Sequence, residues 1–313
     1  MKNNILVTGG AGFVGSSLVE RLINDPNNFV VVVDNLQTGS IDKLPPTKHS
    51  NLKFIQCDVN KEDEITSVFH TFSFDYVFHY AALVGVKRTL DNPVQVLDDI
   101  TGIKNILNLS KNTGVKRIIY ASSSEVYGEP VEYPQNEETT PLNSRLPYAI
   151  VKNVGEAFLK SYKQEFGLDY TIFRFFNTYG PKQSKDFVIS KFLNAALKNE
   201  PITVYGKGDQ TRTFCFVKNN VEACISAAFD ENYANQTLNI GNNKETSILD
   251  LAKTIISLTS SKSNIEHLPA LEEGDMTRRH PDITKMKTLL KEDLISLEDG
   301  INEILKDTSF ILD

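Results

Sequence analysis

The chain has 313 residues, 40% of them apolar, and a formal charge of −7. That length can bury a large core, as one big domain or as one domain with a smaller lobe. The acidic balance argues against a nucleic-acid partner, which would want a dense basic stripe, but leaves room for a polyanionic small substrate if positive charge is focused locally. No apolar run reaches about 18 residues, and the stretch beginning at Ile5 is broken by glycine, so a soluble, cytoplasmic protein with no membrane partner is expected.

The first element is the apolar run Ile5-Leu6-Val7-Thr8, followed by the turn Gly9-Gly-Ala-Gly12-Phe-Val-Gly15 and an amphipathic segment over residues 16–23. This is the strand, turn, helix context of a dinucleotide site. Gly9 permits the tight turn, Gly12 lets backbone approach a pyrophosphate, and Gly15 allows close helix-to-strand packing, with the helix N-terminus facing the phosphates. Next comes Phe29-Val-Val-Val-Val33, too continuous for a half-exposed strand and typical of a parallel strand buried on both faces. It ends at Asp34, about twenty residues past the glycines, where an acid binds the adenosine ribose hydroxyls. A carboxylate there repels a 2'-phosphate, so NAD is expected rather than NADP.

Further strands alternate with helices. Residues 52–57 lead to Asp58, 75–79 to Ala81 and Ala82, 116–121 to a serine run, and 170–175 to Asn177. Helical patterns lie between them at 61–71, 93–113 and 147–166. The expected fold is a doubly wound α/β parallel sheet, a Rossmann fold. From Tyr179 the pattern changes, with a helix over 187–198, Thr203-Val-Tyr-Gly-Lys-Gly208 and Gln210-Thr-Arg212, while 238–241 reads as one more sheet strand. Residues 1–177 plus 213–242 are therefore expected to form the NAD-binding domain, and 178–212 plus 243–313 a smaller substrate-binding lobe.

Tyr148 and Lys152, four residues apart, share one helix face. A lysine ammonium that close favours the phenolate, making Tyr148 a base beside the dinucleotide site. The five histidines have no metal-ligand spacing, and His79, at a strand end, reads as a packed structural residue. Cys57, Cys215 and Cys224 also lack ligand spacing and read as buried small residues, so no metal is expected.

Together, Thr8-Gly-Gly-Ala-Gly-Phe-Val-Gly15, Asp58-Val59, His79-Tyr-Ala-Ala82, Ser122-Ser-Ser-Glu-Val-Tyr-Gly128, Tyr148-x-x-x-Lys152, Phe176-Asn-Thr-Tyr-Gly-Pro181 and Val204-Tyr-Gly-Lys-Gly-Asp-Gln-Thr-Arg212 make a specific pattern. Over nearly its whole length the chain resembles the extended short-chain dehydrogenase/reductase family, in particular the nucleotide-sugar epimerases, dehydratases and decarboxylases. The resemblance implies a catalytic set of Ser123, Tyr148 and Lys152, flanked by Ser124 and Glu125. It implies tightly held NAD against Gly9, Gly12, Phe13, Val14, Gly15, Asp34, Asn35, Asp58, Val59, Ala81, Ala82, Tyr148 and Lys152. The implied substrate is a nucleoside diphosphate sugar, a UDP-sugar, lying between the lobes against Lys87, Asn177, Val188, Tyr205, Arg212, Arg278 and Arg279. A homodimer through the helices at 93–113 and 147–166 is also implied. Some proteins of this fold bind NAD(H) without turnover; the presence of Ser123, Tyr148 and Lys152 together argues for an enzyme.

Glu125 bears on which reaction follows oxidation at C4. Plain 4-epimerases resemble the pattern with Thr or Ser there, whereas dehydratases and decarboxylases carry Glu before Val-Tyr-Gly. Dehydratases add Asp ahead of that Glu, where this chain has Ser124. Gln210-Thr-Arg-Thr-Phe214 and Arg278-Arg-His-Pro-Asp-Ile-Thr-Lys285 resemble UDP-glucuronate decarboxylases. Because Glu272 and Glu273 precede Gly274-Asp275, where epimerases carry arginine, Arg278 or Arg279 is expected to supply the second phosphate contact. Decarboxylation is the favoured reading. C4 epimerisation is the alternative, supported by Ala149-Ile-Val151 and by Val84-Gly-Val-Lys-Arg-Thr89, which looks like epimerases of uronic acids; dehydration is the third.

Overall fold

The computed structural model describes residues 3–46, 49–270 and 278–312; the side chains of Val86 and Lys87, and residues 272–275, lie outside that description. Strand β1 (Asn3–Thr8) leads through the glycine turn into helix α1 (Phe13–Ile23) and strand β2 (Asn28–Asp34). There follow β3 (Leu52–Gln56), α2 (Glu62–Thr71), β4 (Tyr76–His79), α3 (Val86–Asp91), α4 (Pro93–Thr113), β5 (Arg117–Ser123), α5 (Pro147–Phe166) and β6 (Asp169–Phe175). Helices α4 and α5 each start on proline and end at glycine, Gly114 and Gly167, because proline's missing N–H costs nothing in a first turn and glycine closes the last one freely.

The central sheet has seven strands, all parallel, in the order Gln236–Ile240, β6, β5, β4, β1, β2, β3. The strand order reverses between β1 and β4, and the crevice at their carboxyl ends is where a doubly wound sheet binds ligand. One apolar layer packs α1 and α7 (Val217–Ala228) onto one face, burying Leu18, Leu22, Val221 and Cys224. The other packs α2, α4 and α5, burying Ile65, Ile103, Ile106, Val151 and Leu159. This is the doubly wound α/β sheet expected from the alternation of elements.

A third apolar cluster lies outside the sheet. It joins Tyr179, Ile189, Phe192 and Leu193 to Leu251, Ile255, Ile301 and Ile304. These residues come from α6 (Val188–Leu197), α8 (Ile248–Thr259) and Leu297–Leu305, so two separate stretches of chain build one core. No described helix is long and apolar enough to cross a membrane. All three cysteines are free and buried.

One strand differs from its sequence reading in a way that matters for the site. Strand β5 does not stop before the serines but carries Ser122 and Ser123 in register with Arg174 and Phe175 of β6. The chain then tightens into a 3-10 turn over Ser124–Tyr127, with the Ser123 hydroxyl accepting a hydrogen bond from the Glu125 N–H at 3.2 Å. Pairing with β6 thus brings the serines to the edge of the crevice.

Candidate active site

The floor of the crevice is the glycine turn. Gly9 has φ +66, and a Cβ there would lie 2.6 Å from the Ala81 nitrogen, so only glycine lets the turn after β1 meet the turn after β4. At Gly15 a Cβ would sit 2.3 Å from the Gly9 carbonyl oxygen, which is the close helix-to-strand packing expected there. At Gly12 the nearest atom to a Cβ is the Gly9 oxygen, at 3.1 Å, and nothing else lies within 4 Å. Helix α1 has no side-chain cap at Gly12, so the amides of Phe13, Val14 and Gly15 open the helix with their donors available to an anion. The space above Gly12 and the uncapped amides fit a dinucleotide pyrophosphate.

Asp34 ends β2 and is buried. Its carboxylate accepts hydrogen bonds from the Ala11 N–H at 3.0 Å and the Leu36 N–H at 2.8 Å. Burial raises its pKa, and the two backbone donors and Lys43 oppose that rise. Each oxygen keeps a lone pair for a ribose hydroxyl. The exposed Asn35 turns its side-chain oxygen onto the Gln37 N–H at 3.0 Å. The Asp58 carboxylate accepts from the Asn60 N–H at 3.0 Å, and the carbonyl of buried Val59 accepts from Asn105 at 2.9 Å. The Thr8 hydroxyl receives the N–H groups of Tyr80 and Ala81 and lies 2.8 Å from His79 Nδ1, which places Ala81 and Ala82 at the crevice lip. His79 itself is buried, with its pKa pushed down to about 3 by burial and then by Lys152, as suits a structural ring.

Tyr148 and Lys152 lie on the first turns of α5, with the Ser123 hydroxyl among the groups that act on the Tyr148 phenol. Lys152 is not among the groups that chiefly set the level of the Tyr148 phenol. Burial, and next the charge of Glu125, push the Tyr148 phenol well up; the Ser123 hydrogen bond and Arg279 work in the lowering direction. Lys152 Nζ donates to the Ala121 carbonyl at 2.7 Å and stands 5.7 Å from the Tyr148 ring centroid. Burial lowers its pKa to about 8, with Asp99 opposing. Asp99, on α4, was not singled out in the sequence. Its carboxylate accepts from the Leu83 N–H at 2.8 Å, and no local motif marks it.

Glu125 meets Arg279, 154 residues further along the chain, at 2.7 Å, with the two side chains 14% and 8% exposed. Arg279 also donates to the Ser124 hydroxyl at 3.4 Å. Arg279, one of the two arginines expected to supply the second phosphate contact, is therefore drawn to the Ser124–Tyr127 turn. Arg278 forms a two-pronged pair with Glu245 at 2.6 and 2.7 Å, and Arg278, followed by His280 and Thr211, holds the Glu245 carboxyl down at about 2. Glu245 is a second residue that no motif flagged.

Arg212 is buried on the short strand Thr211–Thr213, which pairs antiparallel with Glu245–Ser247 and bridges to Arg278 through Thr211. Asn177, at φ +30, donates its side-chain amide to the Thr213 carbonyl at 3.1 Å, so Asn177, Arg212 and Arg278 lie together along one wall. Val188 opens α6, and Tyr205 ends the strand Ile202–Tyr205 with Lys191 Nζ 5.5 Å from its ring centroid. The side chain of Lys87 lies outside the described residues.

A family model described as the NAD dependent epimerase/dehydratase family matches residues 5–241. UDP-glucuronic acid decarboxylase 1 of Danio rerio is 36% identical over 314 residues, covering 97% of this chain and 72% of that protein. A putative UDP-glucose 4-epimerase of Methanocaldococcus jannaschii is 35% identical over 308 residues, covering 96% of this chain and 97% of the relative. Among solved structures, the UDP-glucose 4-epimerase of Thermotoga maritima with UDP-glucose superposes with a TM-score of 0.90 at 32% identity, covering 97% of each chain. The glycine turn, the seven-stranded sheet and these similarities agree, and the chain belongs to the NAD dependent epimerase/dehydratase family.

Proposed function

We propose that this enzyme decarboxylates a UDP-uronate, with UDP-glucuronate as the model substrate, by way of a 4-keto sugar. The observation that carries the reading is the Glu125–Arg279 pair, set against Ser124 and acting electrostatically on Tyr148. Bound NAD supplies a hydride acceptor at C4 and returns the same hydride, so there is no net oxidation. Ser123 and Tyr148 hold the C4 oxygen, and Tyr148 takes its proton. Arg279 and Ser123 favour the phenolate that this transfer needs, against the burial that opposes it.

Oxidation at C4 makes a β-keto acid. The C5–carboxyl bond then breaks, its electrons pass into the C4 carbonyl, and carbon dioxide leaves. C5 must next receive a proton, which comes from solvent water by way of the Glu125 carboxyl, while Arg279 attracts the uronate carboxylate before it departs. Asn177 and Arg212 bind the diphosphate, where a guanidinium fork suits phosphate oxygens. Glu125→Gln tests the assignment. It should leave reduction of the cofactor detectable while stalling the later step, so that reduced nicotinamide and a 4-keto species accumulate; an unchanged product rate would refute the role.

A C4-epimerase is the second reading, favoured by the uronic-acid-epimerase likeness of Val84-Gly-Val-Lys-Arg-Thr89. It needs Tyr148 and rotation of the 4-keto sugar, but no acid at C5. For the assembly, the separate third cluster supports a cofactor domain of residues 1–177 plus 213–242 and a substrate lobe of 178–212 plus 243–313. Exposed Val94 and Leu97 on α4 and Ile150 on α5 support a homodimer through these two adjoining helices, which sedimentation would test.

A further inference from the structure

Beneath the catalytic turn lies a buried polar network that the chemistry above does not use. Glu156, one helical turn beyond Lys152, is 1% exposed and accepts from the Ser122 hydroxyl at 2.6 Å. Arg174 on β6, 2% exposed, grips the Glu156 carboxylate with two nitrogens at 3.0 and 2.7 Å. The same guanidinium donates to the Tyr127 hydroxyl at 2.9 Å and to the Glu137 carbonyl at 3.2 Å. The hydroxyl of Tyr127, two residues after Glu125, donates to the Asn239 side-chain oxygen at 2.7 Å. Asn239, fully buried on the edge strand, completes its amide on the Gln135 carbonyl at 2.9 Å and the Asp282 carbonyl at 3.2 Å.

Asn239 is therefore the shared reference for two pieces of chain far apart in sequence. On one side it holds the turn that carries Glu125; on the other it holds the segment that carries Arg279, three residues before Asp282. Gln135 reinforces the second contact, exchanging backbone hydrogen bonds with His280 and Asp282 at 2.7 Å each. Such a buried polar network specifies geometry more than it adds stability.

We propose that Tyr127 and Asn239 are positioning residues, which hold Glu125 and Arg279 in register with each other and with the Tyr148–Lys152 helix for the step after hydride transfer. The proposal rests on the reading that Glu125 acts in that later step. Removing Arg174 would strand a buried carboxylate and endanger folding, so the informative variant is Tyr127→Phe, which deletes one hydroxyl and keeps the ring.

The experiment follows UDP-glucuronate turnover by the full chain with NAD, reading reduced nicotinamide by absorbance and product by mass. Melting temperature is measured alongside. Tyr127→Phe should leave formation of reduced nicotinamide near the wild-type rate while slowing product release from the 4-keto stage about tenfold, because small misplacements of an acid are costly. In a Glu125→Gln background the same substitution should add no further slowing, since both act on one group. Asn239→Ala should repeat the pattern of Tyr127→Phe. Equal slowing of both steps, or effects of Tyr127→Phe and Glu125→Gln that multiply, would overturn the proposal and leave Tyr127 merely structural. The identity of the wild-type product judges the reaction assigned above; the ratio of the two rates judges the network, and it is readable whichever product appears.

Discussion

Lys152→Met should stabilise the cofactor-free protein at neutral pH while impairing it as an enzyme. The Lys152 ammonium is 3% exposed, has one hydrogen bond to the Ala121 carbonyl, and is held by burial to a pKa of about 8, against 10.5 for a free lysine. Its native value is depressed, so between those two pH values the unfolded chain binds more protons than the folded one, and stability rises with pH. Below pH 8 the buried charge then costs the native state about 3 kcal/mol, and above 10.5 it costs nothing. Methionine removes that cost but strands the Ala121 carbonyl, a loss of about 1–3 kcal/mol. The variant should therefore match or exceed the wild type in urea unfolding at pH 7 and fall behind it by about 1–3 kcal/mol near pH 10. A wild-type-minus-variant difference that stays the same at the two pH values would refute the reasoning. So would a variant less stable at pH 7 than near pH 10, relative to the wild type.

Tyr148→Phe keeps the ring and deletes the oxygen proposed to accept the C4 proton, so NAD binding should persist while turnover falls about a hundredfold or more, measured as initial rates on the accepted substrate. Asp34→Ala removes the carboxylate proposed to bind the ribose hydroxyls and to repel a 2'-phosphate. NAD should bind more weakly and NADP comparatively better in parallel titrations, and an unchanged preference would count against the cofactor site. Gly15→Ala drives a methyl to 2.3 Å from the Gly9 oxygen, a backbone atom that cannot step aside. It should lower stability by about 1–3 kcal/mol and weaken NAD binding, both readable in one thermal melt with and without NAD.

The parts of the fold legible in the sequence are those whose causes are local. The glycine turn, the valine-rich strand ending at Asp34, and the two long helices set by proline and glycine all follow from neighbours a few residues apart. What distance in sequence hides is the pairing that completes the site. Arg279 reads as a phosphate ligand beside Arg278, and only the folded chain shows that Glu245 occupies Arg278 while Glu125 draws Arg279 to the catalytic turn. The level of the Tyr148 phenol is hidden for a related reason. Helical spacing puts Lys152 near the phenol, but the level of the phenol is set by burial and by the approach of Glu125, neither of which spacing reveals. Asp99 and Asn239 carry no motif, because their partners are backbone groups and charges from other elements.

The central claim is that the 4-keto intermediate loses its carboxylate. Its most direct test is to incubate the wild type with UDP-glucuronate and measure carbon dioxide release against substrate consumed, with the nucleotide product read by mass and NMR. Carbon dioxide should equal the substrate lost, with a UDP-pentose product and no lasting reduction of NAD. Recovery of an isobaric UDP-uronate inverted at C4, without carbon dioxide, would contradict it and make the protein an epimerase.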